Sequence, residues 1–70
     1  MTRLDKYPFL KRLIEKWPYR FQKANLKQKE ISKLCGLSSV TISRTLNFIN
    51  KNPKLSTINK VECTLHNLGV

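Results

Sequence analysis

Gly36 interrupts an otherwise helical pattern, and no other residue constrains the fold of this chain so tightly. On its N-terminal side, residues from about Lys27 or Gln28 to Cys35 read as a short helix, with Ile31, Leu34 and Cys35 at its apolar positions. Asn25 or the Lys27 backbone marks its start. Gly36 stands just past the end of that helix, where a left-handed backbone suits glycine best. Leu37 returns to the core, and Ser38 is a strong N-cap for a further helix running to about Asn47. That helix is expected to bury Ile42 and Leu46.

A short helix, a glycine turn and a second helix form the unit that sets a recognition helix into a DNA major groove. The unit makes coupled steric demands. Counting Gln28 as position one, it wants apolar residues at four, eight, ten and fifteen, a small residue at five and glycine at nine. The chain supplies Ile31, Cys35, Leu37, Ile42, Ser32 and Gly36 at those places. Position five must be small because the two helices cross there. Thr45, at the usually apolar position eighteen, departs from the pattern and has Leu46 beside it.

Elsewhere, apolar residues recur at three- and four-residue spacings, with no internal repeat and no Gly/Ser-rich linker. Leu10, Leu13, Ile14 and Trp17 make one stripe, with Pro8 suited to a first helical turn and Asp5 or Thr2 as start signals. Pro18 bars a smooth continuation. Residues 18–25 are ambiguous between a short helical turn and a loop, with Tyr19 and Phe21 expected at the core edge. FINKNPK reads as a loop. A last helix is expected from about Ser56 to Asn67, capped by Ser56 or Thr57, ended by Gly69, and apolar at Leu55, Ile58, Val61, Leu65 and Leu68. The expected fold is all-α: one compact bundle of four to five short helices containing a helix–turn–helix. Residues 1–25 supply the first helix and a connector, 26–47 the helix–turn–helix and 55–68 the last helix.

Seventy residues with a 40% apolar fraction suit a small packed domain, not a disordered basic tail. The net charge is +10, from 14 Lys and Arg against 4 Asp and Glu. The excess is even, with seven basic and two acidic residues both in 1–25 and in 26–70. A whole domain this basic suits a polyanion, nucleic acid before lipid, because no segment pairs a polybasic face with a long apolar one. Cys35 and Cys63 stand at apolar helical positions and are expected to be buried free thiols. With His66 as the one histidine they make no zinc site, and no metal or cofactor is expected. Asp5, Glu15, Glu30 and Glu62 form no catalytic motif, so an enzyme is not expected. The N-terminal residues lack the apolar run of a signal peptide and no stretch approaches membrane-spanning length, so a cytoplasmic protein is expected.

The run L-x-Q-x-E-I-S-x-x-x-G-L-S-x-x-x-I-S-R-x-L-N, from Leu26 to Asn47, resembles the lambda-repressor/Cro-like domains, including the Xre-type regulators. The tail NPKLSTINKVECTLHNLGV is similar to their recurring ending. GLSSVTISRTLN is also similar to the lac-type repressor headpiece, although the tail and the N-terminal helix favour the first family. The resemblance covers residues 26–70 well and 9–17 loosely.

It implies a bacterial or phage regulator that binds double-stranded DNA. Ser39 and Val40 would face base edges, and Arg44 would reach deeper into the groove, where its fork matches the O6 and N7 acceptors of guanine. Val40 would meet a thymine methyl, and Ser43 and Thr41 would bond a base or a phosphate. Gln28 would meet a phosphate at its helix start, with Lys27, Lys29, Lys51 and Lys54 adding phosphate contacts and Ser38 touching phosphate while it caps. Lys6, Lys11, Arg12 and Lys16 are read as cover for the bundle surface, and Trp17 and Phe21 as core. A homodimer is expected, joined through the last helix around Leu65, Leu68 and Val70 or through the N-terminal extension. Two alternatives stay open: an antitoxin-type protein that also clasps a toxin, and a non-specific architectural or RNA-binding protein.

Overall fold

A computed structural model describes residues 2–70. Among them are a single helical turn, α1 (Arg3–Lys6), and five longer helices: α2 (Pro8–Glu15), α3 (Trp17–Lys23), α4 (Gln28–Cys35), α5 (Ser39–Leu46) and α6 (Leu55–Asn67). None of the described residues lies in a strand. The chain is therefore an all-α bundle, with α1 added to the expected helices. No helix among the described residues is long and apolar enough to cross a membrane.

Thr2 and Asp5 start α1, not the helix that follows. The Thr2 hydroxyl accepts from the Asp5 amide at 3.3 Å and donates to the Asp5 carboxylate at 2.7 Å. Pro8 then opens α2, and Pro18 sits in the first turn of α3. Both prolines stand where a missing N–H costs a helix nothing. The expected stripe is therefore split between two helices, since Trp17 is the first residue of α3. It still reaches the core, where it and Ile14 are fully buried. Residues 17–23 form a full helix. Asn25 closes it with a left-handed backbone (φ 57°) that lets the Leu26 amide reach the Phe21 carbonyl at 3.2 Å. Phe21 is buried as expected, whereas Tyr19 is 62% exposed.

The core joins Leu10 and Ile14 of α2, Trp17 and Phe21 of α3, Ile31 and Cys35 of α4, Ile42 of α5 and Ile58, Val61 and Leu65 of α6. Each fully buried aliphatic side chain is worth about 1.5–3 kcal/mol against leaving it in water. Several expected core residues lie outside it. Leu34 faces solvent on α4, Leu55 and Leu68 are exposed at the two ends of α6, and Leu46 is only half-buried. α6 begins one residue before the expected range, with Lys54 as N-cap and no side-chain cap, so neither Ser56 nor Thr57 caps it. At its end, Leu68 is the cap residue and Gly69 (φ 77°) lets the Val70 amide reach the Leu65 carbonyl at 3.1 Å. Leu65 is fully buried, so it belongs to the core and not to an interface between copies. Cys35 is buried and free, but Cys63 is exposed, because it falls on the outward side of α6.

Candidate nucleic-acid interface

Three local devices orient α5 against α4. Gly36 adopts φ 72°, and the chain reverses so that the Leu37 amide donates to the Ser32 carbonyl at 3.0 Å. Ser38 then caps α5, its hydroxyl accepting from the Thr41 amide at 3.1 Å. The Gln28 side-chain amide donates to the Ser39 carbonyl at 3.1 Å, tying the first turn of α4 to the first turn of α5. Ser32 is buried, and its hydroxyl donates back to the Lys29 carbonyl at 2.6 Å, which satisfies it without a partner on another helix. The start of α4 is held by the Lys27 amide donating to the Glu30 carboxylate at 3.1 Å.

The expected base-facing residues share one face of α5, as i, i+3 and i+4 spacing requires. Val40 is 55% exposed, Arg44 is exposed, and Ser39 and Ser43 are half-buried beside them. Among the described residues the one ion pair joins Arg20 to Glu62. Arg44 and the exposed Lys27, Lys29, Lys51 and Lys54 therefore make no ion pair. Lys27 and Lys29 flank the start of α4, while Lys51 and Lys54 belong to the α5–α6 loop and the cap of α6.

Two residues sit differently from what the sequence pattern suggests. Thr41 is half-buried, its hydroxyl 2.8 Å from that of Ser38, and it lines a cleft with Leu37, Thr45, Asn50, Lys54 and Thr57 instead of sharing the Val40–Arg44 face. Gln28 is half-buried and spends one amide hydrogen inside the chain. Asn47 is an addition. It is exposed one turn beyond Ser43, donating to the Ser43 carbonyl at 3.0 Å, with its amide nitrogen 3.4 Å from the Ser43 hydroxyl. Its spacing from Ser43 and Val40 was the available signal.

The loop after α5 folds back on the helix it leaves. Phe48 takes a left-handed backbone (φ 57°) and packs against the core, and the amides of Ile49 and Asn50 both point to the Arg44 carbonyl, at 3.0 and 3.4 Å. Arg44 thus projects from a helix end that the loop closes. Comparison of the chain with protein-family models, with curated proteins and with solved structures finds no match.

Proposed function

We propose that the chain is a sequence-specific regulator of transcription that binds double-stranded DNA through the exposed face of α5. One observation carries this reading. Val40 and Arg44 project from a short helix that has no carboxylate and is flanked at both sides by lysines without an acidic partner. The helix before it is fastened behind by a glycine turn and the Gln28–Ser39 bond.

With α5 in the major groove, the Arg44 fork reads guanine, Val40 packs on a thymine methyl, and the Ser39 and Ser43 hydroxyls complete the readout. Lys27, Lys29, Lys51 and Lys54 neutralise phosphates and fix the register, with the Gln28 and Ser38 turns beside them. A single helix of this length reads few base pairs, so useful specificity calls for two copies on a pseudo-palindrome. The exposed Leu68 and the half-buried Val70 are candidates for the contact between copies. Occupying an operator in this way excludes polymerase and requires no catalysis.

The even spread of positive charge favours a second reading, that of a non-specific architectural protein. Selection from a random duplex pool at near-physiological salt separates the two. An enriched inverted repeat is expected, and its spacing then gives the geometry of the dimer. Binding with no enriched motif sinks the operator reading. On an enriched site, Arg44→Ala should lose discrimination at one base pair by about 1–3 kcal/mol, instead of weakening all sequences equally.

A further inference from the structure

α1 does not simply cover the bundle; it is fastened to the loop that leaves α5. The Leu4 amide donates to the Lys51 carbonyl at 3.2 Å, and the Arg3 amide donates to the Asn52 side-chain oxygen at 2.7 Å. The Arg3 guanidinium donates to the Pro53 carbonyl, and Leu4 is buried beneath the turn. Where α1, this loop and the start of α6 meet, a groove is lined by Thr2, Arg3, Lys6, Tyr7, Asn52 and Leu55.

The chemistry of that lining is selective. It holds two cations, two hydroxyl groups and a side-chain amide, and no carboxylate lines it among the described residues. The nearby carboxylate, Asp5, accepts from the Thr2 hydroxyl at 2.7 Å. Lys6 is exposed, with its ammonium 5.6 Å from the centre of the Tyr7 ring. At the same end of α5, the Lys11 ammonium lies 5.8 Å from the centre of the Phe48 ring. The loop thus bonds the Arg44 carbonyl through Ile49 and Asn50, and α1 through Lys51 and Asn52, the last of which lines the groove.

We propose that this groove takes the phosphate backbone of duplex DNA just outside the stretch addressed by α5, with Lys6 as its central cation. The proposal rests on the DNA-binding reading above and extends its footprint past the recognition helix. The Asn52 amide and Tyr7 hydroxyl supply neutral donors to phosphate oxygens, and Arg3 keeps α1 in place through Pro53. Amphipathic peptides are poor occupants, since Leu55 and Tyr7 are the only large apolar surfaces in the lining.

The test is the salt dependence of binding, which counts neutralised phosphates whatever the sequence. It is measured on a generic duplex long enough to extend beyond the region under α5. Lys6→Gln should lower the slope of log K against log salt by about 0.9, one phosphate contact. Lys60→Gln, an exposed site on α6 outside the groove, serves as the control and should match the wild type more closely. On a site enriched by the selection, a hydroxyl-radical footprint should lose its outermost protected sugars in Lys6→Gln and keep the rest. A Lys6→Gln slope equal to wild type, or a drop no larger than that of Lys60→Gln, overturns the proposal. Because the slope needs no operator, its outcome is independent of whether the selection experiment yields a motif.

Discussion

The indole N–H of Trp17 donates to the Glu62 carboxylate at 2.6 Å, joining the first residue of α3 to the middle of α6 across the bundle. The same carboxylate takes both oxygens to the Arg20 guanidinium at 2.7 Å, and Arg20 also donates to the Val70 carbonyl at 2.9 Å. Two side chains of α3 thus meet on one acidic group of α6, whose side chain is only 25% exposed. Trp17 is fully buried, and its indole N–H bonds no other acceptor among the described residues.

Glu62→Ala should therefore be costly. Removing the acceptor leaves a buried indole N–H unpaired and breaks a charged pair, a loss of about 1.5–3 kcal/mol. For a domain of this size each kcal/mol lowers the melting temperature by about 4–8 °C. Glu62→Gln retains an acceptor for the indole and should recover part of that loss. Thermal melts followed by circular dichroism decide the matter. Equal melting temperatures for wild type and Glu62→Ala would show that the indole finds another partner.

This hub was invisible in the linear chain because its members are 42 and 45 residues apart. Local signals fared better. Gly36, Ser38 and Pro8 act over one turn of backbone, and each stands where such reasoning places it, whereas Pro18 lies in the first turn of a full helix and the break falls at Lys16. Ile31 and Ile42 were legible because both periodicity and the helix-crossing pattern demanded them. Leu34, Leu55 and Leu68 were not, because a stripe says which residues share a face and not how far a neighbour extends over it. α1 was missed because a single turn is held by contacts to residues about fifty positions away. On the candidate interface, the shared face of Val40 and Arg44 follows from spacing alone, whereas the inward tether of Gln28 depends on a residue eleven positions away on the next helix.

The fastening of α1 should weaken in acid. The hydrogen bond from the Thr2 hydroxyl holds the Asp5 carboxyl below its ordinary range, with help from the Lys51 charge. A carboxylate whose folded-state pKa is depressed contributes stability that is present above its unfolded value, near 3.9, and lost as pH falls through the folded value. Asp5→Asn should accordingly loosen α1 at neutral pH and make no difference once the pH lies well below the lowered folded-state value. Backbone amide shifts of residues 2–6, followed across a pH titration of both proteins, check this. An Asp5→Asn difference that persists unchanged into strong acid would refute it.

Thiol chemistry separates the two cysteines. Cys63 is exposed on α6, with its sulfur near the Asn59 side-chain oxygen, while Cys35 is buried with its sulfur 3.3 Å from the Thr64 hydroxyl. A disulfide-exchange reagent should modify one thiol per chain rapidly and the second only on unfolding. Cys63→Ser should abolish the fast phase and leave the slow one. Two fast thiols in the wild type would mean that α4 opens from α6 far more readily than its packing suggests.

Thr45 is the residue at which the helix–turn–helix pattern expects an apolar side chain, and its surroundings explain the substitution. It is 1% exposed, and its hydroxyl donates to the Thr41 carbonyl of its own helix at 2.8 Å. Bonding back to the carbonyl four residues earlier satisfies the group locally, which lets a threonine fill an apolar position. Such a bond adds little net stability, because that carbonyl already belongs to the helix ladder. Thr45→Val keeps the branched shape and removes a buried hydroxyl, so its stability should stay within about 1 kcal/mol of wild type. Thr45→Ser keeps the bond and deletes the methyl, and it should be the less stable of the two, since a lost buried methyl costs about 1 kcal/mol. Denaturant unfolding of both variants ranks them. A Thr45→Val protein that is less stable than Thr45→Ser would show that the hydroxyl, not the methyl, is what the site requires.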